Sequence, residues 1–112
     1  MRYSGNDYYC DVVLKDTSLF KIEYESDSVF AYHHTNPYWP VHIVVIPKKH
    51  IPSFTNRNSE DDIIILEMLE VIRKIATKIE REVGAARILT NLGEYQESKH
   101  LHFHISSGEP LK

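Results

Sequence analysis

The sequence predicts an α+β domain: three strands, one long helix, then two further strands. Short β-branched and aromatic runs between turn residues fill positions 19–47. An apolar stripe at spacings of three and four runs through 64–83. Strand-like runs return at 86–91 and 100–106, the second alternating histidines with apolar residues. The order β-β-β-α-β-β implies an antiparallel meander with the helix laid over one face. No linker or repeat divides the 112 residues, so 1–112 is expected to be a single domain.

Taken in order, "CDVVLKD" at 10–16 is a possible short helix. "LFKIEYES" sets Phe20, Ile22 and Tyr24 against polar neighbours, as a strand with one buried face would. "SDS" at 26–28 is a turn, and "VFAYH" at 29–33 is the antiparallel partner. "HTNPYWP" carries two prolines and must be a loop, and "HIVVIP" at 42–47 is a third strand closed by Pro47. Ser59 is expected to cap the helix, with Glu60, Asp61 and Asp62 in the first turn where the dipole favours negative charge. Ile64, Met68, Ile72, Ile75, Ile79 and Val83 form the apolar stripe, and Gly84 ends it. Strands then follow at "ARILTN" (86–91) and "HLHFHIS" (100–106).

The formal net charge of −3 argues against bulk attraction to nucleic acid or anionic lipid, while leaving single nucleotides open. Cys10 is the only cysteine, so no internal disulfide and no Cys-x-x-Cys clasp can form. The opening "MRYSGNDYYC" lacks the regions of a signal peptide, and the longest apolar run, "IIIL", is too short to span a membrane. A cytoplasmic protein is expected, with no membrane partner.

"KHLHFHISSG" at 99–108 holds the chemistry. Side chains two apart on a strand share a face, so His100, His102 and His104 line one side, about 7 Å apart. Leu101, Phe103 and Ile105 point the other way, under the helix stripe. Three uses are open: a solvated polar face, a metal site built on imidazole ligands, or nucleophilic catalysis. Catalysis needs one neutral ring to attack while a neighbour donates to developing negative charge. A ring whose Nδ1–H is held by a backbone carbonyl presents its Nε2 lone pair outward, as attack on phosphorus requires.

The alternating histidines, together with "VFAYHHTNPYWPVHIVVIPKKHI" at 29–51, resemble the two motifs of the histidine triad (HIT) superfamily. The small nucleotide-binding hydrolases of that family are the most similar branch. The resemblance implies a HIT-like fold of five antiparallel strands and one long helix, paired as a homodimer. It also implies hydrolysis at the α-phosphorus of a nucleotide ester, phosphoramidate or anhydride, without a cofactor. His102 would be the nucleophile, forming a nucleotidyl-histidine, and His104 would bond a phosphate oxygen and assist the leaving group. His100 would support the nucleophile through its carbonyl and pair with His42. For the nucleotide, Asn91 would act near the phosphate, Tyr32 and Val44 would line the base pocket, and Gln96 matches a glutamine common in the family.

Two positions depart from the family pattern. His34 stands where an aspartate usually grips the ribose, and imidazole offers one acceptor where a carboxylate offers two. Glu97 stands where Ser or Thr is usual, beside the scissile group. A carboxylate there repels phosphate unless it is protonated, turned away, or acting as an acid towards the leaving group. Ser98 is one residue along and would face away on a regular strand. Some relatives carry a structural zinc. Lacking a cysteine pair, His50 and His100 alone cannot hold one tetrahedrally, so no metal is expected. Tyr38 and Trp39 are candidates to stack on a base or to pack at a dimer edge, Tyr95 to extend the leaving-group side of the pocket, and Lys99 to steer an anion. His33, Lys48 and Lys49 read as surface residues. The expected function is a nucleotide hydrolase. The alternative is a nucleotide- or phosphate-binding module that keeps the triad without turnover.

Overall fold

The structure is a computed structural model that describes residues 7–112. Five antiparallel strands form one sheet in the order β1-β2-β3-β5-β4. They are β1 (Ile22–Glu25), β2 (Val29–His33), β3 (Val41–Pro47), β4 (Arg87–Leu89) and β5 (Phe103–Ser107). The α+β class with one long helix, α1 (Asp62–Val83), is as expected. β1 to β3 run as a meander, after which the chain crosses in α1 and returns at the sheet edge in β4. β5 then closes between β4 and β3, which sets the triad strand in the middle of the sheet.

Alternation gives the sheet two coats. Val29, Ala31, Ile43, Val45, Phe103 and Ile105 pack with Ile65, Met68, Val71, Ile72, Ile75 and Ile79 of α1. On the other side Phe30, Tyr32, Val44 and Ile46 pack with Tyr9 and Val13 from a short π-helical turn, Tyr9–Val13. His42 and His104 belong to this second face, which the helix never reaches. The weak signal at "CDVVLKD" therefore marks a turn that roofs the opposite side of the sheet.

Several expectations need correction. The single buried face of β1 is broken, because Ile22 pairs with Tyr32 and Tyr24 with Ala31. Two residues thus oppose one, a bulge. Phe20 packs on the roofed face, Tyr24 on the helix face, and Ile22 is exposed. The helix cap is Asn58, not Ser59. Asn58 and Asp61 form a reciprocal capping box around a 3-10 turn, Ser59–Asp61, that leads into α1. Val83 is exposed, so the buried stripe ends at Ile79; Gly84 follows in the left-handed region at φ 91°, as a C-terminal stop requires.

β5 starts at Phe103 rather than at His100. The Leu101 N–H bonds the Ile51 carbonyl at 2.6 Å, and the Thr90 hydroxyl bonds the His102 carbonyl at 2.7 Å. Both groups are satisfied outside the ladder, so the chain joins it only after the triad's middle residue. Among the described residues no helix is long and apolar enough to cross a membrane.

Candidate active site

A cavity of about 750 Å³ opens on the second face. Its walls include Tyr32, His34, His42, Asn91, Glu97, His102 and His104, with Tyr38, Trp39 and Tyr95 at its aromatic sides. That volume suits a ligand of nucleotide size. Tyr8 and Tyr9, which the sequence reading did not single out, bring the N-terminal turn over the triad. The Tyr9 ring lies 4.7 Å from that of His102. The signal missed was one of distance along the chain: Tyr8 N–H reaches the Ser98 hydroxyl across 90 residues.

Backbone groups fix the imidazoles. His102 Nδ1 lies 2.7 Å from the His100 carbonyl. A carbonyl only accepts, so Nδ1 carries the proton and Nε2 keeps its lone pair. Tyr38 N–H donates to His42 Nδ1 at 3.1 Å, which places the His42 proton on Nε2. That Nε2–H then donates to His104 Nδ1 at 2.8 Å. His104, neutral, must carry its own proton on Nε2. The pair therefore presents an N–H donor one ring away from the bare Nε2 of His102; the two ring centres are 5.1 Å apart.

The electrostatics agree with neutral rings. Burial, with His34 and Lys112 nearby, pushes His42 down to about 4. Burial, with His102, His42 and His34, pushes His104 down to about 3. Burial also lowers His102, although its bond to the His100 carbonyl and the charges of Glu97 and Asp7 act the other way.

The arrangement revises the expected pairing: His42 pairs with His104, not with His100. His100 is fully buried, with Nε2 2.8 Å from the Pro47 carbonyl and Nδ1 turned to Asp7 and Cys10. Val44 is fully buried beneath the cavity and does not line it. Gln96 is also buried off the cavity, where its amide donates to the Pro52 carbonyl at 2.8 Å and ties the loop down. Glu97 and Ser98 both reach the cavity because the segment before β5 is irregular, so strand alternation does not separate them. Lys99 clamps the carbonyls of Gly93 and Gln96 rather than facing the cavity. His33, Lys48 and Lys49 pair with Glu23, Glu25 and Asp61.

Directly behind His102, four donors converge: Asp7, Cys10, His50 and His100, with ligand atoms within 4.8 Å of one another. The expectation that His50 and His100 stand alone is therefore corrected. Cys10 Sγ lies 3.3 Å from His100 Nδ1 and 3.9 Å from His50 Nδ1, and Asp7 Oδ2 lies 3.2 Å from His100 Nδ1. Zinc bonds of about 2.0–2.3 Å place tetrahedral donors roughly 3.3–3.8 Å apart. One carboxylate, one sulfur and two imidazoles are a donor set that suits a divalent ion such as zinc, which would draw the wider separations, up to 4.8 Å, in to that spacing and open the 2.5 Å contact between Asp7 and His50. Without a cation, burial and the neighbouring Asp7 push the Cys10 thiol up to about 11. Burial alone would raise the Asp7 carboxyl, but the Cys10 N–H and thiol and the His100 ring outweigh it and hold it below its usual value.

Comparison with known proteins converges on one family. The HIT domain model matches residues 18–111. A purine nucleoside phosphoramidase of Escherichia coli (strain K12) is 32% identical over 92 residues, covering 80% of this chain and 77% of that enzyme. An uncharacterised HIT-like protein of Buchnera aphidicola subsp. Baizongia pistaciae is 33% identical over 101 residues, covering 88% of this chain and 90% of its own. Among solved structures, a histidine triad protein from Clostridium difficile superposes with a TM-score of 0.77 at 32% identity. It covers 99% of this chain and 97% of its own.

Proposed function

The chain belongs to the HIT domain family, and from that premise we propose that it hydrolyses nucleoside 5′-phosphoramidates or related α-phosphate esters and anhydrides through His102. The observation that carries this reading is the opposed tautomers of adjacent rings: a bare Nε2 on His102 beside an Nε2–H on His104. In the first step His102 Nε2 bonds the α-phosphorus while the bond from phosphorus to the leaving group breaks. The leaving atom departs with the bonding pair and takes a proton from water in the open cavity. Throughout, the His102 Nδ1–H stays on the His100 carbonyl and steadies the ring as it becomes cationic. His104 Nε2–H donates to a phosphate oxygen as charge gathers there. In the second step water attacks phosphorus, the bond to His102 breaks, and the surplus proton returns to solvent.

Asn91 and Tyr32 would hold the nucleotide, with His34 at the far wall. An ion held by Asp7, Cys10, His50 and His100 would clamp the backbone whose carbonyl orients His102; with four protein donors it would have no position left for substrate. Exposed Leu69 on α1, which shares a shallow groove with exposed Ile88 on the edge strand β4, supports a homodimer built on that flank.

The test is turnover of adenosine 5′-phosphoramidate, with mass spectrometry to trap a nucleotidyl adduct. Activity should fall on the order of a thousandfold or more in His102→Ala, with no adduct. Turnover that survives this change sinks the proposal. One observation favours a second reading, a binding module without turnover: Glu97 puts a carboxylate on the cavity wall, where it would oppose a phosphate. Nucleotide-dependent thermal stabilisation without product would identify that case. Faster hydrolysis in Glu97→Ser would show that the carboxylate hinders rather than acts as an acid.

A further inference from the structure

The line of imidazoles continues past the reacting pair. From His104 to His42 the ring centres are 5.0 Å apart, and from His42 to His34 they are 4.4 Å apart, nearly parallel at 20°. Asn36 N–H donates to His34 Nδ1 at 3.0 Å. The His34 proton therefore sits on Nε2, and the ring can meet a ligand there only as a donor. Lys112 Nζ bonds the Asn36 carbonyl and side-chain oxygen. The Arg87 guanidinium stands 5.3 Å from the centre of the Trp39 ring, which lies edge-on to His42. Among the cavity residues the single acid is Glu97, whose charge acts on His102 and Tyr9.

An unmodified sugar diol brings two O–H donors and needs acceptors to receive them. At this wall the one imidazole acceptor of His34 is spent on Asn36, the ring offers its Nε2–H, and the Lys112 ammonium behind Asn36 lies close enough for its charge to act on His34 and His42. A phosphate oxygen accepts from such groups, and charge makes those bonds the stronger kind. The 2′ and 3′ oxygens of a nucleotide lie several bonds from the 5′-phosphorus, on the scale that the two ring spacings from His104 to His34 span.

We propose that the His34 end of the cavity is a second anion subsite, which takes a phosphate carried on the substrate's sugar. The preferred substrates are then nucleotide conjugates phosphorylated at the 2′ or 3′ position as well as at the 5′ position. The proposal rests on the reading above, that the 5′-phosphorus sits at His102.

Calorimetric titration reads the subsite without turnover. The probes are adenosine 5′-monophosphate, adenosine 3′,5′-bisphosphate and adenosine 2′,5′-bisphosphate. One bisphosphate should bind about tenfold more tightly than the monophosphate, the value of roughly one charge-assisted hydrogen bond. His34→Asp should reverse that preference and Lys112→Gln should reduce it. Circular dichroism checks folding, and Lys112→Gln carries the test if His34→Asp does not fold. Equal or weaker binding of both bisphosphates overturns the proposal, as does a preference that neither variant changes or a failure of all three to bind. Turnover of a 5′-phosphoramidate separates this from the catalytic reading. A bisphosphate preference without turnover keeps the subsite and removes the hydrolase; turnover without the preference does the reverse.

Discussion

Each imidazole in the cavity has its tautomer set by a backbone group or by the ring before it, and the burial that lowers His42 and His104 makes stability depend on pH. His42 and His104 titrate near 6.5 in an unfolded chain, but at about 4 and about 3 in the fold. Between these limits the unfolded chain binds protons that the folded chain refuses. Stability is therefore complete above pH ~6.5 and declines as pH falls towards the folded values, by up to tenfold in the folding constant per pH unit for each proton. Asp7 is lowered from 3.8, so its loss enters only at the bottom of that range and below. Urea midpoints measured from about pH 7.5 to 5 should fall, and His104→Gln should flatten the slope; an unchanged slope would show that the buried rings do not govern it. Asp7 and Cys10 make a second prediction. Zinc in hundredfold excess over its dissociation constant should stabilise the protein by about 2.7 kcal/mol. The shift should vanish in Cys10→Ser and in Asp7→Ala, as read by thermal melting with and without chelator.

At the scale of elements, the cap before α1 and the turn after β5 can be weighed. Asn58→Ala removes one half of the capping box and should cost about 1 kcal/mol. Gly108 sits at φ 94°, and a Cβ there would meet the Pro40 ring at 2.8 Å, so Gly108→Ala should cost more, through strain and clash together. Denaturant titration that ranks them the other way would refute the argument. Much of this architecture was legible in the sequence, because "VFAYH" and "HIVVIP" are short β-branched and aromatic runs bounded by turn residues and the α1 stripe recurs at helical spacing. What was not legible depended on distant partners. Ser59 and Asn58 are both good caps, and only the position of Asp61 decides between them. The bulge in β1 follows from its pairing with β2, not from its own alternation. His102 and His104 share a face as their spacing requires, but Val44 and Gln96 lie off the cavity because other segments bury them. Asp7 and Cys10 stand 93 and 90 residues from His100, and no local pattern announces that meeting.

For the whole molecule, the two faces of the sheet divide the work: the helix supplies the larger core and the thinner roof leaves space for the cavity. The flank where α1 meets β4 leaves Leu69 and Ile88 exposed. If a second copy covers that flank, Leu69→Glu with Ile88→Lys should yield monomers in analytical ultracentrifugation where the parent sediments as a dimer. A monomeric parent would end that idea. The chain has one tryptophan, and it stands at the cavity rim with its edge to His42 and a guanidinium over its ring. Its fluorescence is therefore an unlabelled gauge of what enters the cavity, quenched when a neighbouring ring gains charge and altered when a ligand displaces water. The same placement makes emission a poor witness to global denaturation: the rim can loosen while the helix-covered core still stands, so far-ultraviolet dichroism has to be followed beside it.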